Sequence, residues 1–314
     1  MKHLKYLVLA ILTSLTLISC GRIPSAPTPI NEDGSVSDPN VVSDVKQKWS
    51  PYVVVHATGE AMNAYRDSLS LMVQKGRLRG VRVEINKGGA GLNNPVIKMI
   101  GSMNIEMVGL IDNLFLFDNN IEQDVGQIFA AYPEIHYFQV GNEITTILPK
   151  NGPTMTTEQY MVVFKRIYDY VQQRYPDKVL LTYSTLGSGL RGPTELEKMA
   201  NLGLTEMSPN RVIVAINAYS PDVINKYFGV INGPLRNYRI WVLEAGSSDP
   251  NTHMSFVQTQ YDKMRDYLRA ERIYWYVMWG GDGPPDDGYS LIKHLGSYPN
   301  YWKSPLYKLL TDSQ

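Results

Sequence analysis

Eight short apolar runs, separated by longer segments with helical periodicity, most constrain how this chain can fold. Each run is rich in β-branched and aromatic residues and almost continuously hydrophobic, which is typical of strands covered on both faces. The segments between them place apolar residues at the spacing of one helical face. This alternation predicts a parallel sheet covered by helices. The runs are Tyr52–His56, Gly80–Asn86, Ile105–Asp112, His136–Glu143, Val179–Thr185, Val212–Tyr219, Arg239–Glu244 and Ile273–Trp279.

The number of runs decides between an open and a closed sheet. Open sheets in this size range have roughly five or six strands, whereas eight β/α units in one chain favour a closed barrel. Thr156 and Gln159 are spaced as a capping box before the helical pattern that follows the fourth run. The sequence therefore predicts an α/β fold, a (β/α)8 TIM barrel, as a single catalytic domain over residues 51–314.

The N-terminal residues have the pattern of an export signal. Lys2 and Lys5 precede an uncharged, mostly apolar run of 13 residues from Tyr6 to Ile18, which is too short to span a bilayer comfortably. The run ends in Leu-Ile-Ser-Cys, and Cys20 is the only cysteine of the chain. This ending resembles the lipobox of bacterial lipoproteins, which implies cleavage after residue 19 and acylation of Cys20. A plain signal peptide followed by an incidental cysteine is the alternative.

The segment after Cys20 has the composition of a tether. Residues 21–50 are polar and include four prolines, so they offer too little apolar surface to fold alone. We expect residues 1–19 to be a lipoprotein signal peptide and residues 20–50 to be the lipidated cysteine with a flexible tether. A lipid anchor at Cys20 makes the membrane a partner and places the protein in the bacterial cell envelope, at the outer membrane or its periplasmic or extracellular face.

The charge balance limits the other partners. The chain has 30 Lys and Arg against 30 Asp and Glu, whereas nucleic-acid binders normally carry a basic excess or patch. One cysteine excludes an internal disulfide framework and any zinc site with several cysteines. We expect no nucleic-acid partner, no metal and no cofactor, and the oligomeric state stays open.

Polar residues collect where the predicted strands end, which is the end of such a barrel where active sites lie. The fourth run closes on Glu143 and the seventh on Glu244. Because side chains alternate along a strand, Arg82 and Glu84 share an inward face. The same rule predicts Glu244 inward and Trp241 outward, under the helices.

Two glutamates on non-adjacent strands suit the cleavage of a glycosidic bond. That reaction needs one carboxylic acid to protonate the leaving oxygen and one carboxylate to meet the oxocarbenium-like carbon. A single glutamate at a strand end is as easily explained by a salt bridge. Glu143 and Glu244 each lie in a recognisable motif, about a hundred residues apart. We therefore expect a carbohydrate substrate.

The two motifs resemble those of clan A of the glycoside hydrolases. Gln139-Val140-Gly141-Asn142-Glu143 is similar to the clan's Asn-Glu pair after the fourth strand. Trp241-Val242-Leu243-Glu244-Ala245-Gly246 is similar to its second Glu, after the seventh. The resemblance implies a retaining O-glycosidase, with Glu143 as the acid/base and Glu244 as the nucleophile of a double displacement.

The same resemblance implies substrate-binding roles. Asn142 would hydrogen-bond the sugar 2-hydroxyl, Tyr219 would orient the nucleophile, and Trp279 would form the floor of the −1 subsite. Arg82 resembles the second-strand arginine beside the nucleophile. Asn217 stands where many clan members have histidine, which changes contacts to substrate hydroxyls or the tuning of the acid/base. The segment after Trp279 resembles family 39 of the clan.

Three further strand-end residues have two interpretations each. Asp112 either binds sugar or caps the following loop. His56 either contacts substrate or is a hydrogen-bonded structural histidine. Glu84 is either a third catalytic acid or part of a buried ion pair with Arg82.

Two other functions compete with the glycosidase. A non-catalytic glycan-binding lipoprotein would keep the barrel and lose turnover; the presence of both glutamates speaks against it, and Asn217 speaks slightly for it. A solute-binding lipoprotein of a transport system would have two lobes with a hinge and no need of glutamate at both strand ends.

Overall fold

A closed barrel of eight parallel strands forms the centre of the molecule. The computed structural model describes residues 38–56, 62–88, 91–146, 153–185, 191–279, 286–294 and 301–312. The strands pair in chain order, and the eighth closes on the first through Tyr52 opposite Tyr274. The predicted (β/α)8 barrel is therefore confirmed. The strands are β1 Tyr52–Val55, β2 Gly80–Ile85, β3 Glu106–Ile111, β4 Tyr137–Val140, β5 Val179–Leu181, β6 Val212–Asn217, β7 Arg239–Ala245 and β8 Ala270–Trp275.

Helices follow the strands and cover the barrel. The predicted capping box of α5 is confirmed, since Thr156 Oγ1 accepts from the Gln159 amide and Gln159 Oε1 accepts from the Thr156 amide. The helices are α1 Pro39–Lys48, α2 Met62–Gln74, α3 Pro95–Gly101, α4 Ile121–Ala131, α5 Thr157–Arg174, α6 Arg191–Asn201, α7 Pro221–Asn232, α8 His253–Leu268, α9 Asp286–Tyr289 and α10 Pro305–Thr311. An antiparallel pair, β9 Ile292–His294 and β10 Tyr301–Lys303, precedes α10.

Alternation along the strands divides the apolar side chains into two layers. In β1, Val53 and Val55 pack in the layer between strands and helices, whereas Val54 packs inside the barrel. The lower part of the interior, at the amino ends of the strands, is filled by side chains. There the Arg272 guanidinium lies 3.8 Å from the ring centroid of Trp241 and pairs with Glu106. The upper part, at the carboxyl ends of the strands, is therefore the end where a polar site can form.

The last residues of the expected tether belong to the folded domain, which corrects that boundary. Pro39–Lys48 form α1, and Asp38 caps it by accepting from the Asn40 amide. Trp49 is buried, stacks on Tyr261 and donates its indole hydrogen to the Arg77 carbonyl at 2.8 Å. Because residues 21–50 are polar on average, their composition did not indicate that the last residues of the segment pack against the domain.

The predicted export signal, Cys20 and the start of the predicted tether lie outside the described residues. Among the helices that the structure does describe, none is both long and apolar enough to cross a membrane.

Candidate active site

The turn after β4 carries Glu143 in an uncommon backbone conformation. Gly141 has φ +78°, and a Cβ there would lie 2.9 Å from Leu116 Cδ1, so only glycine suits this position. Glu143 itself has φ +44°, which is rare for a residue with a side chain. Its amide donates to the Ser184 carbonyl at 3.0 Å, and its carbonyl accepts from the Thr146 amide at 2.8 Å. These bonds hold the strained turn in place.

Asn142 is fixed from behind and reaches across the barrel. Its backbone amide donates to Asn113 Oδ1 at 2.8 Å, and its carbonyl accepts from Asn113 Nδ2 at 2.9 Å. The side chain is then free to point inward, where Nδ2 donates to Glu244 Oε1 at 3.2 Å. The motif residue expected beside the reacting sugar therefore lies next to the predicted nucleophile.

A bulge in β7 turns Glu244 into the barrel. Ile216 of β6 pairs with Val242, but the next residue, Asn217, pairs with Glu244, so Leu243 is an extra residue. A bulge reverses the alternation of side chains beyond it. Trp241 and Glu244 both face inward as a result, and the expectation that Trp241 lies outward under the helices was wrong.

The Glu244 carboxylate accepts four hydrogen bonds. Oε1 accepts from Arg82 Nη1 at 2.9 Å and from Asn142. Oε2 accepts from the Tyr219 hydroxyl at 2.5 Å and from Asn217 Nδ2 at 3.0 Å. A guanidinium and three neutral donors stabilise the negative charge and fix both oxygens.

Asn217 joins the two candidate catalytic glutamates through a single nitrogen. Its Nδ2 lies 2.8 Å from Glu143 Oε1 and 3.0 Å from Glu244 Oε2. At the ideal angle of about 120° between the two hydrogens of an amide nitrogen, two acceptors at these distances would lie about 5 Å from each other. Asn217 is 0% exposed, Glu143 8% and Glu244 6%. The two carboxylates thus share a shielded site at a defined spacing.

Gln139 supports the site from below. Its Oε1 accepts from Arg82 Nε at 2.5 Å, and its Nε2 donates to Ser184 Oγ at 3.0 Å and to the Gly141 carbonyl at 2.9 Å. The side chain therefore links the Arg82 guanidinium to the turn that carries Glu143. The sequence motif contains Gln139 without indicating this role, although alternation along β4 predicts that its side chain faces inward.

Three tyrosines form the aromatic wall of the site. The Tyr219 ring meets Tyr276 edge-on at 6.1 Å and Tyr289 at 5.4 Å between centroids. Burial, followed by the nearby charge of Glu244, raises the pKa of the Tyr219 phenol well above its ordinary value, so Tyr219 stays a donor. Tyr276 was missed, although it continues the inward series of Arg272 and Tyr274.

We expected Trp279 to form the floor of the −1 subsite, but its surroundings are different. Its ring meets Tyr65 of α2 edge-on at 6.0 Å between centroids and packs against the layer outside the barrel. Its backbone bridges to Ile292. The inward position beside Tyr219 is held by Tyr276 instead, because the alternation of β8 continues past Trp275.

Asp112, His56 and Glu84 are the three strand-end residues that had two interpretations each, and the structure gives a different result for each. Asp112 caps the turn Asn113–Phe117, since its Oδ1 accepts from the Leu114 amide at 3.1 Å. His56 Nε2 lies 3.5 Å from the Tyr276 hydroxyl, at the edge of the aromatic wall.

Of the two interpretations of Glu84, the structure does not show the ion pair with Arg82, whose Nη1 pairs with Glu244. Burial raises the pKa of Glu84; the charge of Arg82 opposes this, while Asp112 and Glu244 add to it. In the part of the chain that the structure describes, no group of three or more His, Cys, Asp or Glu side chains could hold a metal ion.

Comparison with known proteins shows likeness of fold. No family model and no curated protein matches the sequence. Among solved structures, a family 51 α-L-arabinofuranosidase from Bifidobacterium longum matches with TM-score 0.57 and 11% identity, covering 84% of this chain and 72% of that chain. A family 128 exo-β-1,3-glucanase from Aureobasidium namibiae matches with TM-score 0.55 and 12% identity, covering 84% and 97%. A β-mannanase from Thermomonospora fusca matches with TM-score 0.52 and 11% identity, covering 78% and 83%. The barrel that this chain shares with these enzymes is therefore established.

Proposed function

We propose that this chain is a retaining O-glycoside hydrolase that cleaves a polysaccharide or glycoside by double displacement. The observation that carries the proposal is the amide nitrogen of Asn217, which donates to both Glu143 and Glu244; ideal amide geometry puts its two acceptor oxygens about 5 Å apart. Retaining glycosidases hold their two carboxyl groups about 5–5.5 Å apart, whereas inverting enzymes need about 6.5–9.5 Å to admit water. The spacing supports retention of anomeric configuration.

In the first step, Glu244 attacks the anomeric carbon. A bond forms between a Glu244 carboxylate oxygen and that carbon as the bond to the leaving oxygen breaks, and Glu143 gives its proton to the leaving oxygen. Asn217 donates to Glu143 Oε1, so the second oxygen of Glu143 is the natural carrier of the proton.

In the second step, water resolves the glycosyl-enzyme. Glu143, now ionised, takes a proton from water as the water oxygen bonds to the anomeric carbon, and Glu244 leaves as a carboxylate. Arg82 and Tyr219 stabilise the charge that returns to Glu244, because both donate to it in the resting state.

Substrate contacts follow from the same arrangement. Asn142 offers an amide group to the hydroxyls of the sugar that lies over Glu244, whereas both hydrogens of the Asn217 amide are already bonded to Glu143 and Glu244. Tyr276 provides an aromatic face in place of the expected Trp279. The neighbours in fold act on an arabinofuranoside, a β-1,3-glucan and a mannan, which supports a glycan substrate without selecting the sugar.

We further propose that the enzyme acts outside the cytoplasm, held in the cell envelope by a lipid on Cys20. The apolar run ending at Ile18 and the single cysteine two residues later support this. Mass spectrometry of the membrane-extracted protein tests it: an N-terminal peptide beginning at acylated Cys20 is expected. An N-terminus before residue 20, or an unmodified cysteine, would contradict the anchor.

The glycosidase proposal is tested with a panel of glycans and aryl glycosides, read by product mass and by NMR of the newly released anomer. We expect release of a product with the substrate's anomeric configuration, and loss of that release in Glu244→Gln. Binding of glycan without turnover would favour the non-catalytic lipoprotein. Products of inverted configuration would exclude Glu244 as the nucleophile.

A further inference from the structure

Glu84 lies on the inner face of the barrel, one layer of side chains beyond Arg82. Arg82 of β2 reaches across the barrel to Glu244. Two residues of a strand span about 6–7 Å, and their side chains leave the same face. Glu84 therefore lies between the contact of Arg82 with Glu244 and the open carboxyl end of the barrel. The alternate residues of β2 pack outside, in the layer under the helices: Val81, Val83 and Ile85.

Neighbouring strands connect Glu84 with the aromatic wall of the site. The register of β1 on β2 places His56, just after β1, beside Glu84, and the His56 ring meets Tyr276 edge-on at 5.9 Å between centroids. The ends of β8, β1 and β2 thus form one continuous side of the site that adjoins β7, whereas Glu143 follows β4. The leaving portion of the substrate lies by the acid/base, so the sugar over Glu244 faces the side that carries Glu84.

The carboxylate of Glu84 is not used by the folded protein. Among the described residues, it accepts no hydrogen bond and forms no ion pair. Arg82 donates to Gln139 through Nε and to Glu244 through Nη1, and its Nη2 has no partner in the part of the chain that the structure describes. Asp112, at the end of β3, differs, since both of its oxygens accept backbone amides of the neighbouring loops. Both oxygens of Glu84 are therefore available to a ligand.

This carboxyl group also lowers the stability of the protein. Glu84 is partly buried, and burial without a hydrogen-bond partner disfavours the charged form. A group that destabilises the folded state and makes no contact in it is typical of binding and catalytic sites. The position of Glu84 therefore favours a role towards substrate.

We propose that Glu84 determines which sugar the site accepts, a role that rests on the proposed glycosidase function. Its two oxygens accept hydrogen bonds from hydroxyl groups of the sugar unit over Glu244. The same carboxylate repels an acidic sugar, because Glu84 and Glu244 place two negative charges against the single positive charge of Arg82 in a site with little water. The substrate class is therefore a neutral glycan and not a polyuronide.

The test compares Glu84→Gln with Glu197→Gln, which makes the same change at an exposed position of α6. The aryl substrates are paired so that they differ only in the carboxylate: the 4-nitrophenyl glycosides of glucose and glucuronic acid, and of galactose and galacturonic acid, each as both anomers. Laminarihexaose, mannohexaose, xylohexaose and hexagalacturonic acid extend the comparison to glycans.

We expect the wild type to prefer neutral substrates over acidic ones. Glu84→Gln should lower kcat/KM on the neutral substrate by about tenfold or more, because hydrogen bonds to charged groups are among the stronger ones, and it should narrow the preference for the neutral substrate. Glu197→Gln should match the wild type throughout. Wild-type preference for the acidic substrates, or full activity and unchanged selectivity in Glu84→Gln, overturns the proposal.

Calorimetric titration of the same hexasaccharides separates this proposal from the proposed function. If the wild type cleaves none of the substrates, the glycosidase proposal fails, and weaker binding of a neutral hexasaccharide by Glu84→Gln than by Glu197→Gln still supports the role of Glu84. In that case, equal binding by the two variants overturns the role of Glu84. So does the absence of binding of the neutral hexasaccharides by the wild type.

Discussion

Arg82 Nη1 donates to Glu244 Oε1 at 2.9 Å across the barrel, from β2 to β7, and both side chains are more than nine-tenths buried. Removing one partner of a buried pair leaves the other charge unpaired, which costs about 3–5 kcal/mol. In this pair the group left unpaired is the proposed nucleophile. Stability and catalysis are therefore expected to depend on the same contact.

Arg82→Met should lower both the free energy of unfolding, by about 3–5 kcal/mol, and kcat/KM. Arg82→Lys should recover part of each, since lysine keeps the charge but cannot bond Gln139 and Glu244 together in the same geometry. Urea unfolding and steady-state kinetics measure the two effects. Arg79→Met, at an exposed position just before β2, is the control and should change neither. An active, fully stable Arg82→Met protein would contradict the role of the pair.

The two glutamates should respond differently to an added nucleophile. Glu143→Gln is expected to lower kcat/KM by roughly 10²–10⁴-fold, the usual contribution of general acid–base catalysis, and least on substrates whose leaving group needs no proton. Azide added to Glu244→Ala should restore turnover and give a glycosyl azide of inverted configuration. Azide added to Glu143→Ala should give one of retained configuration. NMR of the products checks both, and the same configuration from both variants would exclude the assignment.

The shared amide of Asn217 makes a separate prediction. Asn217→Ala removes donors from both carboxylates at once, so we expect kcat/KM to fall by more than tenfold while the fold stays intact. Asn217→Asp places a third carboxylate between Glu143 and Glu244, and it should be less active than the alanine variant at neutral pH. The pH dependence of kcat/KM measures this, because protonation of the new aspartate at lower pH should narrow the gap. An aspartate variant that equals the alanine variant at every pH would contradict the bridging role.

The barrel could be predicted because its strands are covered on both faces. Each strand then forms a nearly continuous apolar run, and seven of the eight expected runs begin within one residue of the observed strand; the eighth strand begins earlier, at Ala270. The polar residues at the ends of β4 and β7 were visible for the same reason, since they interrupt apolar sequence. Composition and periodicity are thus sufficient to predict strands that are packed in the same way along their whole length.

The remaining details depend on local irregularities that a periodic rule does not contain. The extra residue Leu243 reverses the alternation of β7, so one rule could not place both Trp241 and Glu244. Tyr276 follows the last residue of β8, whereas the sequence analysis assigned the aromatic floor of the site to Trp279, three positions later. The position along the strand, and not the type of aromatic side chain, determines which ring faces the site.

Glu84 should make the stability of the protein depend on pH in a particular direction. Burial raises its pKa above the ordinary carboxyl value; Arg82 opposes this, and Asp112 and Glu244 reinforce it. The folded state therefore binds this proton more tightly than the unfolded state, and the free energy of unfolding falls as pH rises through the raised pKa. Glu84→Gln removes that loss, so it should be more stable than the wild type at pH 7, with no advantage near pH 4.

Glu122→Gln on α4 is the matched control for this measurement. Partial burial acts to raise the pKa of Glu122, but its hydrogen bonds with Arg166 outweigh this and lower the pKa. Its contribution to stability is therefore present at neutral pH and lost as pH falls through the lowered pKa. The control should be less stable than the wild type at pH 7. Urea midpoints at several pH values compare the two, and a Glu84→Gln protein less stable than the wild type at pH 7 would contradict the prediction.

Trp49 lies at the boundary between the predicted tether and the folded domain. The side chain is buried, stacks on Tyr261 with ring centroids 6.1 Å apart and lies 6.3 Å from the Trp275 ring. Trp49→Ala should therefore lower the free energy of unfolding by about 3–5 kcal/mol, the usual cost of truncating a buried tryptophan. Gln47→Ala, at an exposed position near the end of α1, just before Trp49, should change it by less than about 0.5 kcal/mol. Urea unfolding of both variants measures the difference, and equal stabilities would mean that the tether extends to residue 50 as composition suggests.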